Sequence, residues 1–241
     1  MVKDNPPGGS IWTRPERSAR GPAPEHSRAE IAAAAIALAD AAGLGAVTMR
    51  SVAAAIGTGP ASLYRYVATR AELLELMADQ ARGELAYDRT ASGEPAARLL
   101  ALAREGRALY LRHQWLLDIR AAPIPGPNAI AFIEHSLAAL TGVDLSGPAK
   151  LETIGLFSGA VRLLAQTEIE QRQAGQDATQ WQSELTAYLA QSVAAGQHPQ
   201  LAAVLAETPS EDLARQQDDL FERAMVRILD GLLLPHCRPT G

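Results

Sequence analysis

A chain of 241 residues is long enough for one large domain, or for a small one beside a larger one. Apolar residues make up 47% and aromatics only 5%, with the strong helix formers Ala and Leu dominating, which favours an all-helical (all-α) fold over a β-rich one. The net charge is −5, the one cysteine (Cys237) excludes an intrachain disulfide and a cysteine-based zinc site, and there is neither a signal-type leader nor an apolar run of roughly 18–20 residues; a soluble cytoplasmic protein is expected.

Residues 1–26 are rich in Pro, Gly and Arg, with Ile11 and Trp12 as isolated apolar residues. Such a stretch is expected to stay disordered, because it has too little to bury. Arg14, Arg17 and Arg20 could reach a phosphate or a minor groove as a flexible arm, although a solvated leader is the simpler expectation.

Residues 27–72 read as a small helical head. Ser27-Arg28-Ala29-Glu30 has the form of a capping box, and Ile31, Ala34, Ala35, Leu38 and Ala42 then recur at helical spacing up to Gly43 and Gly45. Thr48 can cap a second helix with Val52, Ala53 and Ile56 on its buried face. Arg50 in its first turn opposes the helix dipole, unless a phosphate sits at that helix start. Gly57-Thr58-Gly59 supplies the tight reversal between two steeply crossing helices, and Pro60 suits the first turn of the next. That third helix is expected over Pro60–Tyr66. Leu63 and Val67 would face the core, and Ser62, Tyr64, Arg65 and Tyr66 would be outward or at the edge. A short helix presenting hydroxyls, phenols and a guanidinium makes sense as one that enters a DNA groove. Thr69-Arg70-Ala71-Glu72 reads as a second capping box, opening a fourth helix with Leu73, Leu76 and Met77; Arg70 repeats the oddity of Arg50, and the two cations suggest a line of phosphates.

Over about residues 28–76 these features resemble the tetracycline-repressor (TetR) family. The matching residues are the Ala-rich first helix, Thr48-Met49-Arg50, Val52-Ala53, Ile56-Gly57, Ser62 to Val67, Thr69-Arg70 and Glu72-Leu73-Leu74. The family's L-Y-x-H-F/V-x-x-K signature is matched by Leu63 to Arg70, with Tyr66 at the usual His position and Arg70 at the usual Lys. The resemblance implies a helix-turn-helix head in which Arg50, Thr69 and Arg70 hold phosphates while Ser62, Tyr64, Arg65 and Tyr66 lie nearest the base edges. It also implies a homodimer on a double-stranded DNA operator, with a larger effector-binding and dimerisation domain over residues 73–236. His113 with Trp115-Leu116-Leu117, followed by Gly126-Pro127-Asn128-Ala129, is similar to the tetracycline-repressor-like branch.

In that larger half, helices are expected from Pro95 to His113, over about 128–140, over 148–174, from Asp177 to about Ala195, and from a third capping box at Thr208–Glu211 to the end. The 148–174 helix has apolar residues on nearly all sides, the pattern of a central buried helix. Trp181, Leu185, Tyr188, Leu189 and Val193 form a stripe on the next. A wider stripe, from Leu213 to Leu233, marks the last. The final two helices could pair with their copies in a second subunit or be buried within the chain. Polar residues embedded in these helices, His113, Trp115, Asn128, His135, Glu152, Ser158, Arg162 and Gln166, are candidate contacts for a small amphipathic organic effector. His113 and His135 lack the H-E-x-x-H arrangement, so no metal or cofactor is assigned. Catalytic constellations and Gly-rich phosphate loops are likewise missing from the sequence. The reading is therefore a ligand-responsive transcriptional repressor, not an enzyme; the alternative is a non-DNA-binding helical adaptor or small-molecule sensor on the same fold.

Overall fold

The computed structural model describes residues 10–15, 25–87, 93–119, 124–174, 184, 187–193, 196, 198–207 and 220–234, and among these it contains helices and turns but no strand. The head is built from α1 (Arg28–Ala42), α2 (Met49–Ala55), α3 (Pro60–Leu63) and α4 (Arg70–Arg82). Each start is fixed by local chemistry. Ser27 and Glu30 form the expected reciprocal box, at 3.1 and 2.8 Å. Thr48 forms a second box with Ser51, at 3.0 and 2.9 Å, where the sequence pointed to Thr48 alone. At Thr69 only half of the expected box exists. Thr69 Oγ1 accepts from Glu72 N at 3.1 Å, but the Glu72 carboxylate accepts from Ala68 N and pairs with Arg14 at 2.6 Å.

The head core joins Ile31, Ala35, Val52, Leu63, Val67, Leu73 and Met77, and it also takes in Leu109, Trp115 and Leu116 from the far half of the chain. α4 packs against α1, so the expected boundary between residues 72 and 73 falls inside a helix of the head. Ile11 corrects the reading of the leader: it is 1% exposed and belongs to this core. Arg28 holds the segment in place, donating to the carbonyls of Ile11 and Arg14 at 2.7 and 3.0 Å. Residues 10–15 therefore form a strap across the head.

The body contains α5 (Pro95–Arg112), a 3-10 turn (Gln114–Asp118), α6 (Pro127–Ala139), α7 (Gly147–Ala174), α8 (Pro199–Glu207) and α9 (Leu220–Leu233). Its core joins Leu99 and Leu102 of α5, Leu140 at the C-terminal end of α6, Phe157 and Val161 of α7, and Phe221, Met225 and Leu229 of α9. Ion pairs bind the same helices at the surface: Arg104 with Glu222 at 2.7 Å, and Arg107 with Glu168. Helix α8 was not anticipated, although His198-Pro199 places a proline at its first position.

The expectation that α7 is buried all round is not met. Ile154, Phe157, Val161, Ala165 and Ile169 are buried, but Leu151, Leu156 and Leu163 are exposed, the last at 63%. The helix packs on α5, α6, α9 and the 3-10 turn, and these neighbours leave Leu151, Leu156 and Leu163 uncovered. Tyr188, expected on the apolar face of a helix that could pair with a second subunit, is 67% exposed in the single chain. Trp181, Leu185, Leu213 and the capping box at Thr208–Glu211 lie outside the described residues.

Candidate nucleic-acid interface and effector residues

The outer surface of the head follows from which side chains α3 must bury. Leu63 and Val67 are fully buried, which turns Ser62, Tyr64 and Arg65 outward. Gly57 makes this possible: its φ of 74° reverses the chain after α2, and Pro60 then starts α3. The α-helix ends at Leu63 rather than Tyr66, because Arg65 N and Tyr66 N bond three residues back, to Ser62 O and Leu63 O. Tyr64 is 52% exposed, and Arg65 donates to Ser62 Oγ at 3.0 Å. Tyr66 is half-buried against the head core and forms a T-shaped ring pair with His26, so it sits at the margin of this face.

The three phosphate candidates differ. Arg50 projects from the first turn of α2 into solvent, with no partner among the described residues. Thr69 caps α4. Arg70 does not stand free: its guanidinium donates to Val47 O and Leu44 O, both at 3.1 Å, and so ties α4 to the turn before α2.

Behind the head, two polar joints connect it to the body. In the first, Asp40 Oδ1 of α1 accepts from His113 Nδ1 at 2.7 Å and from Trp115 Nε1 at 2.6 Å. The other ring nitrogen of His113 lies 3.1 Å from Glu84, which Arg112 also engages. Burial alone would raise the Glu84 pKa, but hydrogen bonds and charge from His113 and Arg112 outweigh it and hold the carboxyl below its ordinary value. In the second joint, the buried Asp79 of α4 accepts from Asn128 N, Asn128 Nδ2 and Ala129 N at 3.0–3.2 Å, capping α6 from another helix. Gly126 is required there: a Cβ would lie 2.4 Å from Asp79 Oδ1 and 2.7 Å from Trp12 Cζ2.

The eight effector candidates do not converge on one cavity. His113, Trp115 and Asn128 are held in the joints. His135 hydrogen-bonds to Ala131 O through Nδ1 and stacks on Tyr87 at 3.8 Å. Burial, and then the Asp79 charge, push the Tyr87 phenol up. Ser158 bonds to Ile154 O, Arg162 bonds to Leu117 O, and Glu152 is exposed. Trp115 and Gln166 do share a cleft, one of about 530 Å³ between α1, the 3-10 turn and α7. The sequence carried no sign of Asp40, Asp79 and Glu84, since an acidic residue on a helix is ordinarily a solvated one. Among the described residues no three metal-binding side chains cluster, and no helix is long and apolar enough to cross a membrane.

Comparison with known proteins agrees with this geometry. Residues 31–77 match the family of bacterial regulatory proteins called the tetR family, and residues 89–234 match the tetracyclin repressor-like C-terminal domain. The chain is 39% identical over 230 residues to the HTH-type transcriptional repressor DrrR1 of Streptomyces coeruleorubidus, spanning 92% of this chain and 83% of that one. Among solved structures, that of the TetR family protein ActR of Streptomyces coelicolor in complex with actinorhodin superposes with a TM-score of 0.74 at 29% identity, covering 87% of this chain and 96% of that one. Ligand-free ActR superposes with a TM-score of 0.71, also at 29% identity, covering 88% and 97%.

Proposed function

The chain belongs to the tetR family of bacterial regulatory proteins, and from that premise we propose that it is a cytoplasmic repressor which binds a palindromic operator as a homodimer and leaves it when a small organic effector is bound. The observation that carries the DNA half is the outward set Ser62, Tyr64 and Arg65, fixed by the complete burial of Leu63 and Val67. α3 would enter the major groove, with Tyr66 at the edge of the contact and Arg50 on the flanking phosphates. Thr69 and Arg70 act mainly by holding α4 and the preceding turn, so their phosphate contacts are secondary. Two heads about 34–36 Å apart would read successive half-sites.

Three further observations support the regulatory half. The ActR relative was solved with actinorhodin. Two joints couple the head to the body. Apolar side chains on Leu156, Leu163, Val226 and Leu234 stand exposed in the single chain, as a surface that a second copy would cover. An effector coupled by about 1–3 kcal/mol would change operator affinity roughly 5–150-fold.

A gel shift with the DNA upstream of the protein's own gene tests the reading. Arg65→Ala should relax base preference, at a cost of about 1–3 kcal/mol on the cognate site. Arg50→Ala should weaken cognate and random DNA alike and reduce the salt slope by about one unit. Equal effects of the two changes on both kinds of DNA would reject these roles.

A further inference from the structure

The cleft behind the head is not used by the reading above. It measures about 530 Å³, within the range of sites for drug-sized molecules, and both halves of the protein line it. Ala39, Asp40 and Leu44 come from α1 and the turn after it; Trp115 and Asp118 come from the 3-10 turn, and Glu170 from α7. The cleft has apolar walls at Ala39, Trp115 and Ile169, all nearly inaccessible to water, with Leu44 beside them. Its charge is one-sided. Three carboxylates line it against a single guanidinium, that of Arg112, which Glu84 already engages. Asp40 uses only Oδ1 in the joint; Oδ2 has no partner among the described residues, and neither has the Asp118 side chain. Glu170 accepts from Gln166 through Oε1 at 2.8 Å, so among the described residues Asp118, Asp40 Oδ2 and Glu170 Oε2 remain unengaged. An aromatic wall beneath these oxygens complements a flat apolar body carrying a protonated amine.

We propose that this cleft binds an amphipathic organic cation, and that a bound cation sets the angle between head and body. The first half stands on the cleft alone; the second rests on the repressor reading. Occupancy reaches the head directly through Asp40, the residue that His113 and Trp115 also hold, and the cation would share that carboxylate with them. Binding and operator affinity must then change each other by the same factor.

The test uses the full-length protein with dansylcadaverine, a fluorescent primary amine, beside its N-acetyl derivative and dansylglycine. Saturable binding of the amine is expected, tighter than that of the neutral and anionic probes by at least about tenfold. The double variant Asp118→Asn, Glu170→Gln should lose at least about tenfold in affinity for the amine, and Gln173→Trp should block the cleft, both at unchanged melting temperature and operator affinity. Equal binding of the three probes, wild-type affinity in the variants, or no saturable binding of the amine would overturn the proposal. An operator still bound at saturating amine, in a protein that some other effector releases, would overturn the second half and leave the repressor reading intact. Amine bound in the cleft by a protein that recognises no operator would overturn the repressor reading and leave the first half intact. A probe affinity unaffected by operator would overturn the second half alone.

Discussion

Single side chains in this protein divide by whether their partners are near in the sequence. The Ser27–Glu30 box could be read directly because both members lie within one turn. The same pattern at Thr69 misled, because Glu72 is drawn away by Arg14, 58 residues earlier. His113 and Asn128 were read as effector contacts because a polar residue in an apolar helix must be satisfied somewhere. Their partners Asp40, Glu84 and Asp79 are visible only once the helices are packed. Gly126→Ala should lower stability by about 1–3 kcal/mol in chemical denaturation, because the added methyl meets a buried carboxylate and an indole. Glu84 makes the first joint sensitive to acid. Its folded-state pKa lies below the ordinary 4.5, so its contribution is fully present above that value and is lost as pH falls through the lower one. The stability difference between wild type and Glu84→Gln should hold constant from neutral pH down to the ordinary glutamate range and shrink below it.

Helices were legible wherever a start signal and a 3.6-residue period coincided, and the ends of α5, α6 and α7 agree with the sequence to within a residue. What could not be read was which elements meet. The apolar ring around α7 suggested complete burial, yet periodicity reports only how many faces are apolar, not how many neighbours one chain provides. The strap failed for the opposite reason: two apolar residues among Pro, Gly and Arg carry no period, and Ile11 is nevertheless as buried as any core leucine. Ile11→Ala should cost about 2–5 kcal/mol in urea unfolding, whereas a disordered leader would predict no change. A midpoint equal to that of wild type would return the strap to the solvent.

In the assembled molecule, the head core and the body share residues at the end of α5, so the two halves are not independent units on a linker. Operator affinity should therefore respond to changes in the body that touch no DNA. Val226→Glu with Leu234→Glu places charge on a face exposed in the single chain; the fold should survive, as read by circular dichroism. For the proposed homodimer, sedimentation should show a shift from dimer to monomer, and operator affinity should fall with it, because one head alone reads half a site. A dimer that persists would put the subunit contact elsewhere.

The strap also fixes an order of events. Arg14 waits for Glu72, and Trp12 packs against Gly126, more than a hundred residues downstream. Trp12 is made early and finds this partner late, because closing a long loop is slow relative to forming local helices. During synthesis the head can assemble its helices but cannot seat Trp12 until α6 has emerged. Substitutions at Ile11 and Trp12 should accordingly speed unfolding and leave the refolding rate nearly unchanged, the kinetic signature of a latch set after the transition state.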